Sequence, residues 1–343
     1  MRVLVTGHRG YIGSVLTSVL RHHRFEVFGL DCDLYRGCGF GRTHETIPSF
    51  DLDVRQIEFT DLLSFDAIVH LAALPEGLCS QRCAALIDEV NVQATIRLAE
   101  CAKRAQVSRF MFASSCAVYG RGSGVLDEES DAAPITPYAC SKSRCEQALT
   151  RLADARFKPL LLRNATVYGM SPQLRLDLCV NDFVGAATTR GRIDMQTAGR
   201  AWRPLIHVED LCRAYAELLA LPDDALEHTV VNVADTTANV RIMDVADTVT
   251  EEVPQCSRVP ADDVLDMRSY RVDGTRLVAM CPAFRFRWNV RSGIRQLRMA
   301  MTAAGLTLGD WRGDRFRRVP RLASFIEHGE PLSTSLRRRS VSA

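Results

Sequence analysis

Tyr138-Ala139-Cys140-Ser141-Lys142 sets a phenol and an amine four residues apart in a segment of helical pattern, so both leave one helix face. A phenol near its reference pKa of about 10 is a poor base at neutral pH, and a neighbouring ammonium lowers that pKa. Ser115 closes the preceding apolar run and has a hydroxyl for the same substrate oxygen. Base, tuner and orienting donor together suit proton abstraction from an alcohol. Lys142 also stands out by composition: the other lysines are Lys103 and Lys158, and every other basic residue is Arg. Arg would serve badly here, because its pKa stays above about 12.

An alcohol loses a proton usefully only if something takes the hydrogen left on carbon. Gly7-His8-Arg9-Gly10-Tyr11-Ile12-Gly13 follows the apolar run Val3-Leu4-Val5 and opens a helical pattern. The glycines at 7, 10 and 13 suit a tight turn, close backbone approach to a pyrophosphate, and packing of helix on strand. The helix start then offers N–H groups and the positive dipole end, with Tyr11 and Ile12 in the phosphate-facing turn. A glycine triplet alone is weak evidence. Here a strand precedes it, a helix follows, and Asp31 ends the next strand 18 residues after Gly13. A carboxylate there accepts both adenosine ribose hydroxyls and repels a 2′-phosphate, so NAD is expected over NADP. Arg36 is five residues on, and no Arg adjoins Asp31 in sequence. Asp53-Val54 reads as an acid-plus-apolar pair beside the adenine. The nicotinamide ring is itself cationic and would lower the Tyr138 pKa further.

The elements that must hold these residues alternate. Arg2–Thr6, Phe25–Leu30, Ala67–Leu71, Arg109–Ser114 and Pro159–Asn164 read as strands. Tyr11–His22, Asp88–Gln106 and Tyr138–Ala155 read as helices. The expected fold class is α/β: a Rossmann-type, doubly wound parallel sheet with a smaller, mixed C-terminal substrate-binding lobe. Such sheets bind ligands at the carboxyl ends of their strands, where Gly7–Gly13, Leu71-Ala72-Ala73 and Ser115 all fall. We expect an NAD-binding domain over 1–170, a substrate lobe over 171–330 from which Val230–Val233 returns to the sheet, and a disordered basic tail over 331–343.

Composition excludes several classes. Of the 343 residues 24% are charged, and the net charge is +2, so neither nucleic acid nor a membrane surface is an expected partner. The twelve Cys form no CxxC pair and no Cys/His quartet, so no metal site is expected. No signal-peptide pattern precedes the first strand and no apolar run reaches membrane-spanning length, which gives a cytoplasmic expectation with reduced thiols.

With Thr6–Gly13, His70–Ala73, Ser114–Gly120, Tyr138–Lys142, Arg163–Gly169 and Pro204–Asp210 in this order, the chain resembles the extended short-chain dehydrogenase/reductase family. Within it, the NAD-dependent nucleotide-sugar epimerases and dehydratases, UDP-glucose 4-epimerase among them, are the nearest in pattern. The resemblance covers residues 1 to about 325. It implies Arg203 and Asn181 on the substrate diphosphate, Arg268 as a further phosphate partner, and Thr166 facing the sugar. It implies Leu71, Ala72 and Ala73 along the cofactor. It also implies a homodimer through a four-helix bundle, and the helices 88–106 and 138–155 read as having apolar face to spare. His207 and Asp210 read as scaffolding.

The tripeptide at the catalytic Ser bears on the reaction. Hexose 4,6-dehydratases of this family carry Thr-Asp-Glu there, whereas this chain has Ser115-Cys116-Ala117. Both carboxylates are absent. Reversible oxidation remains: Tyr138 takes the C4 hydroxyl proton, NAD carries the C4 hydride, and the 4-keto sugar is reduced on its other face, a net 4-epimerisation. Cys116 reads either as a small buried residue or as a catalytic thiol, the latter supporting a dehydratase or a 3,5-type epimerase. Glu76 and Cys79 are weaker candidates in a loop that reaches the sugar. A cofactor-binding regulator or scaffold without turnover is the distant alternative.

Overall fold

The computed structural model describes residues 1–41, 46–77, 81–222, 225, 229–261, 266–327 and 338–342. The first half alternates as the apolar pattern predicts. It runs β1 (Arg2–Thr6), α1 (Gly13–His22), β2 (Glu26–Asp31), β3 (Ser49–Asp51), β4 (Ala67–His70), α2 (Gln81–Ile87), α3 (Ala94–Arg104), β5 (Arg109–Ser115), β6 (Arg121–Leu126), α4 (Pro137–Leu152) and β7 (Lys158–Asn164). The second half adds β8 (Thr166–Tyr168), α5 (Cys179–Arg190), β9 (Arg192–Asp194), β10 (Trp202–His207), α6 (Val208–Ala220), β11 (Thr229–Val233), β12 (Asn239–Arg241), α7 (Ile242–Glu252) and β13 (Ser257–Val259). It ends with β14 (Ser269–Val272), α8 (Thr275–Met280), α9 (Val290–Ala303), α10 (Leu308–Arg312), α11 (Arg318–Glu327) and β15 (Arg338–Ser342).

The main sheet has the order β11-β7-β5-β4-β1-β2-β3-β15. Its pairs are parallel except β15 on β3. The inner strands β1, β4, β5 and β7 bury both faces, so alternate residues serve opposite cores. Val3 and Val5 pack with Leu16 and Leu211 under α1 and α6, while Leu4 packs with Leu98 and Leu149 under α3 and α4. Each such buried aliphatic contributes about 1.5–3 kcal/mol. In register, Thr6 pairs with His70 and His70 with Phe112, so β1, β4 and β5 end along one edge. That edge receives the glycine turn, the 71–73 segment and Ser115. The lobe is built on the strands β12-β10-β8, with Val184, Leu205, Val249 and Leu297 in a separate core. Among the described residues, no helix is long and apolar enough to cross a membrane.

Three details differ from the pattern read in the sequence. The stretch 88–106 is not one α-helix: Asp88–Gln93 is a π turn ahead of α3. The Asn91 carbonyl there accepts from the Thr95 hydroxyl at 2.6 Å and the Cys145 thiol at 3.0 Å, which compensates the widened ladder. The apolar faces of α3 and α4 are not spare, because Leu98, Ala102, Cys145 and Leu149 share one core beneath the sheet. Arg97, Glu100, Arg144, Gln147 and Arg151 are left outside. Finally, Arg338–Ser342 lies in the tail expected to be disordered, yet pairs antiparallel with β3 and so covers the edge that strand leaves open.

Beneath the carboxyl edge runs a buried polar network. The Arg163 guanidinium on β7 donates to Glu146 on α4 (Nη2–Oε2 2.8 Å, Nε–Oε1 3.1 Å) and to the Tyr119 hydroxyl at 3.0 Å. Tyr119 donates in turn to Asn232 on β11 at 2.8 Å, and the Ser114 hydroxyl donates to Glu146. Both charged side chains are 8% exposed. Removing one partner of such a pair strands the other in low dielectric, at about 3–5 kcal/mol. R163M is therefore expected to lose that much stability in urea denaturation, and the E146L/R163M double variant less than R163M alone.

Candidate active site

The glycine turn is shaped by contacts no side chain could share. Gly7 sits at φ +73°, and a Cβ on Gly13 would lie 2.2 Å from the Gly7 carbonyl oxygen. Gly7 N donates to Leu30 O at 2.8 Å and Gly10 N to Gly7 O at 2.9 Å, closing the loop over the ends of β1 and β2. The 71–73 segment is held against this loop by a buried chain. The His70 ring bonds Thr6 Oγ1 at 2.7 Å and Thr95 Oγ1 at 2.8 Å, and Ala72 N donates to Thr6 Oγ1 at 3.3 Å. Burial holds the His70 pKa down at about 3, so the ring is neutral and structural.

These pieces line a cleft that includes Gly7, Gly10, Asp31, Val54 and Leu71–Ala73. The Asp31 carboxylate accepts from Arg9 N at 2.9 Å and Asp33 N at 2.8 Å. Sequence adjacency missed Arg9, which the turn brings to this rim. Its guanidinium is taken by Asp51 at 2.6 Å, with Asp33 at 3.8 Å. Arg36 Nε also pairs with Asp33 at 2.8 Å, so three carboxylates face two guanidiniums and the rim stays negative, which suits a ribose diol and opposes a 2′-phosphate. Asp53 lines the cleft as expected, but Arg55 occupies both its oxygens (Nη2–Oδ2 2.6 Å, Nε–Oδ1 3.0 Å). Tyr11 is buried, with its hydroxyl on Gly169 O at 2.7 Å, so only its backbone is left for a phosphate. Neither Tyr11 nor Ile12 is among the residues lining the cleft.

The trio converges on the same edge. Thr136 caps α4 by accepting from Ala139 N at 3.2 Å, with Pro137 in the first turn, and this fixes where Tyr138 starts the helix. Lys142 Nζ donates to Ala113 O at 2.7 Å and lies 5.6 Å from the Tyr138 ring centre. Burial pulls Lys142 down to about 8. Burial, and the nearby Glu76 carboxylate, push Tyr138 up, while Arg175 and a hydrogen bond with Ser115 oppose this. The chain's own groups thus hold the phenol protonated, contrary to the lowering expected from Lys142. Ser115 Oγ also accepts from Ala117 N at 3.1 Å, which orients it.

Several residues fall elsewhere than expected. Cys116 is fully buried, donates to Arg163 O at 3.1 Å, and burial pushes its thiol far up. It is a structural residue and not the acid or base weighed above. Asn181 is fully buried, and its amide is consumed by Gly169 N (3.0 Å), Arg175 O (3.0 Å) and Tyr11 OH (3.2 Å), so it does not reach a substrate diphosphate. Arg203 and Arg268 do come together. Arg203 Nη2 meets Asp266 Oδ2 at 2.6 Å and Arg268 Nε meets Asp266 Oδ1 at 3.1 Å. Arg268 also pairs with Glu76 at 3.1 Å, which in turn accepts from Thr136 Oγ1 at 3.2 Å. Thr166 opens β8, half-buried. Cys79 lies outside the described residues.

Sequence reasoning missed Asn91, whose amide clamps Leu74 (Oδ1 from Leu74 N 2.7 Å) and reaches Ser141 Oγ at 3.4 Å, between the trio's two members on α4. Its signal was a polar residue inside an apolar helical face. It also missed Glu146, one turn past Lys142 on the same face.

Residues 3–234 match the model of the NAD dependent epimerase/dehydratase family. The chain is 27% identical over 236 residues to the uncharacterized UDP-glucose epimerase YtcB of Bacillus subtilis (strain 168), covering 65% of this chain and 73% of that protein. It is 27% identical over 235 residues to the dTDP-D-glucose 4,6-dehydratase of Homo sapiens, covering 64% and 65%. Among solved structures, MoeE5 in complex with UDP-glucuronic acid and NAD superposes with a TM-score of 0.76 at 28% identity, over 89% of this chain and 100% of that one.

Lys142 predicts a pH signature of its own. Its folded pKa of about 8 lies below its ordinary 10.5, so between these values the unfolded chain binds more protons and stability rises with pH. K142M is expected to remove this rise, worth up to about 3 kcal/mol. Urea midpoints of both proteins from pH 7 to 10.5 check it, and parallel curves would contradict it.

Proposed function

The chain belongs to the NAD-dependent epimerase/dehydratase family, and we propose that it is a nucleotide-sugar epimerase that inverts C4 through a transient 4-keto sugar. The observation that carries this reading is the combination at one strand end of Ser115, Tyr138 and Lys142 with a loop that has no carboxylate. Cys116 and Ala117 stand where a dehydratase needs an acid and a base, and both are buried apolar surface here. Oxidation and reduction at one carbinol need only the trio and a hydride acceptor.

In this mechanism Tyr138 takes the proton of the C4 hydroxyl and returns it, with Ser115 Oγ donating to the same oxygen. Lys142, held by the Ala113 carbonyl, keeps an ammonium beside the phenolate that accepts this proton. The glycine turn, Asp31 and the 71–73 segment would hold NAD, which when bound supplies the reversible two-electron acceptor and the positive charge that brings Tyr138 into working range. Arg203 and Arg268 offer forked donors to the sugar nucleotide's diphosphate, exchanging the Asp266 carboxylate for it. Thr166 faces the sugar in this reading. Glu76, beside Tyr138 and Arg268, is the group a dehydratase reading would have to use.

The test is mass spectrometry of nucleotide sugars incubated with the enzyme and NAD in heavy water. An isomer without carbon-bound deuterium is expected. Loss of water would replace this reading with a dehydratase, and deuterium gain at carbon with an enolising epimerase. A nicotinamide absorbance band unmoved by every sugar would favour a binding protein without turnover. Y138F is expected to lower kcat by about 10²–10⁴-fold while keeping its NAD.

A homodimer through α3 and α4 would join charged surfaces at Arg97, Glu100, Arg144 and Arg151. Light scattering is expected to give twice the chain mass at low salt and a falling mass as salt rises. A monomer at every salt concentration would remove the dimer.

A further inference from the structure

The C-terminal helix α11 lies outside residues 3–234, which match the family model, yet it packs behind one wall of the cofactor cleft. Its Leu322 is fully buried with Leu74, Cys83 and Ile87, and Val319 and Ile326 join this cluster with Leu34 and Val90. Leu34, Leu74 and Val90 also line the cleft. Two more arginines tie this region to the loop after β2: Arg315 Nη2 donates to Gly39 O at 3.0 Å and Arg321 Nη2 to Arg36 O at 3.3 Å.

Arg318, the first residue of α11, is the unusual member. It is 3% exposed, and its guanidinium stacks over the Tyr35 ring at 4.1 Å. Nη2 reaches only Gln173 (Oε1 3.3 Å, O 3.5 Å), and Nη1 is buried with no hydrogen-bond partner. The buried Tyr35 hydroxyl has none either. Asp177 bonds the Arg318 backbone N at 3.2 Å, but its carboxylate is forked onto Arg175 at 3.0 Å. Among the described residues no carboxylate pairs with the Arg318 guanidinium. Burial and the Arg175 charge pull its pKa down, against smaller opposing effects of Tyr35, Cys38 and Asp177. The Arg175 charge opposes the upward pKa shifts of Tyr11, Tyr35 and Tyr138, and the Arg318 charge does the same at Tyr35.

A buried arginine with an idle donor and an excess positive charge calls for an anion. Tyr35 shares its cleft with Gly10 and Asp31, the adenosine and pyrophosphate side, whereas Arg203 and Arg268 occupy the other side. We propose that Arg318, together with the Tyr35 hydroxyl, binds the diphosphate of the NAD cofactor, and that α11 thereby clasps NAD in place between turnovers. This rests on NAD as the cofactor and not on which sugar carbon reacts.

The test is release of NAD from the purified holoenzyme, followed after dilution into excess NAD-capturing dehydrogenase, for the wild type, R318L and R318K. R318L is expected to release NAD about ten- to a hundredfold faster, and R318K by less, since it keeps the charge and loses the fork. Melting curves separate this from packing. Without NAD, R318L should melt no lower than the wild type, because an uncompensated buried charge is gone, and its rise on adding NAD should shrink. ADP affinity should fall in R318L with UDP affinity unchanged. Release at the wild-type rate with a lowered melting point would make Arg318 a packing residue and overturn the proposal. Weakened UDP with unaltered ADP would assign it to the sugar nucleotide and overturn it equally. Should R318L not fold, wild-type release from R318K and from Y35F together would do the same.

Discussion

The Glu146–Arg163 ion pair is the constraint on which the site's geometry hangs. It joins α4, which carries Tyr138 and Lys142, to β7, and through Ser114 and Tyr119 to β5 and β11. Four elements far apart in sequence thereby share one buried set of donors and acceptors. Such a pair is expensive to desolvate, and an apolar substitute would hold the fold as well. What it adds is direction: hydrogen bonds fix the rotation of α4 about its axis, which an apolar contact leaves looser. Because Glu146 is one turn from Lys142, that rotation sets where the ammonium points. Cys116 belongs to the same arrangement, donating to the Arg163 carbonyl while Arg163 faces Glu146.

Charge is distributed on either side of this framework according to what each side must hold. The ribose rim is acidic, with Asp31, Asp33 and Asp51 against Arg9. The opposite end gathers Arg203 and Arg268, quieted by Asp266 and Glu76. Between them Lys142 is the buried cation beside the phenol. An anionic ligand on the arginine side exchanges one set of ion pairs for another, so its binding does not have to begin from bare guanidiniums.

What was legible in the sequence was local. Gly7–Gly13 and Tyr138–Lys142 are short spacings whose geometry follows from one turn or one helix, and the alternating strands ending at Thr6, His70 and Ser115 follow from period and register. The return of Val230–Val233 to the sheet was read from a short Val-rich run, which Asn232 interrupts. What was not legible depends on which residues meet across the fold. Asn181 has the right type and place for a phosphate ligand, but Tyr11 and Gly169 consume it. Arg9 reaches Asp31 only because the glycine turn folds back. The apolar stripe on α3 looked spare until α4 covered it, and no periodicity reveals which helix a stripe will meet.

The rim around Asp31 has a consequence for ancestry and engineering. Arg9 stands on the rim beside Asp31, with its guanidinium held by Asp51, Asp33 and the Ser49 hydroxyl. Cofactor choice in this chain is thus a matter of masking rather than of missing parts. A lineage that neutralised those acids would expose a ready guanidinium without rebuilding any backbone, so the two cofactor preferences are neighbours in sequence space, separated by a few charges on one loop edge.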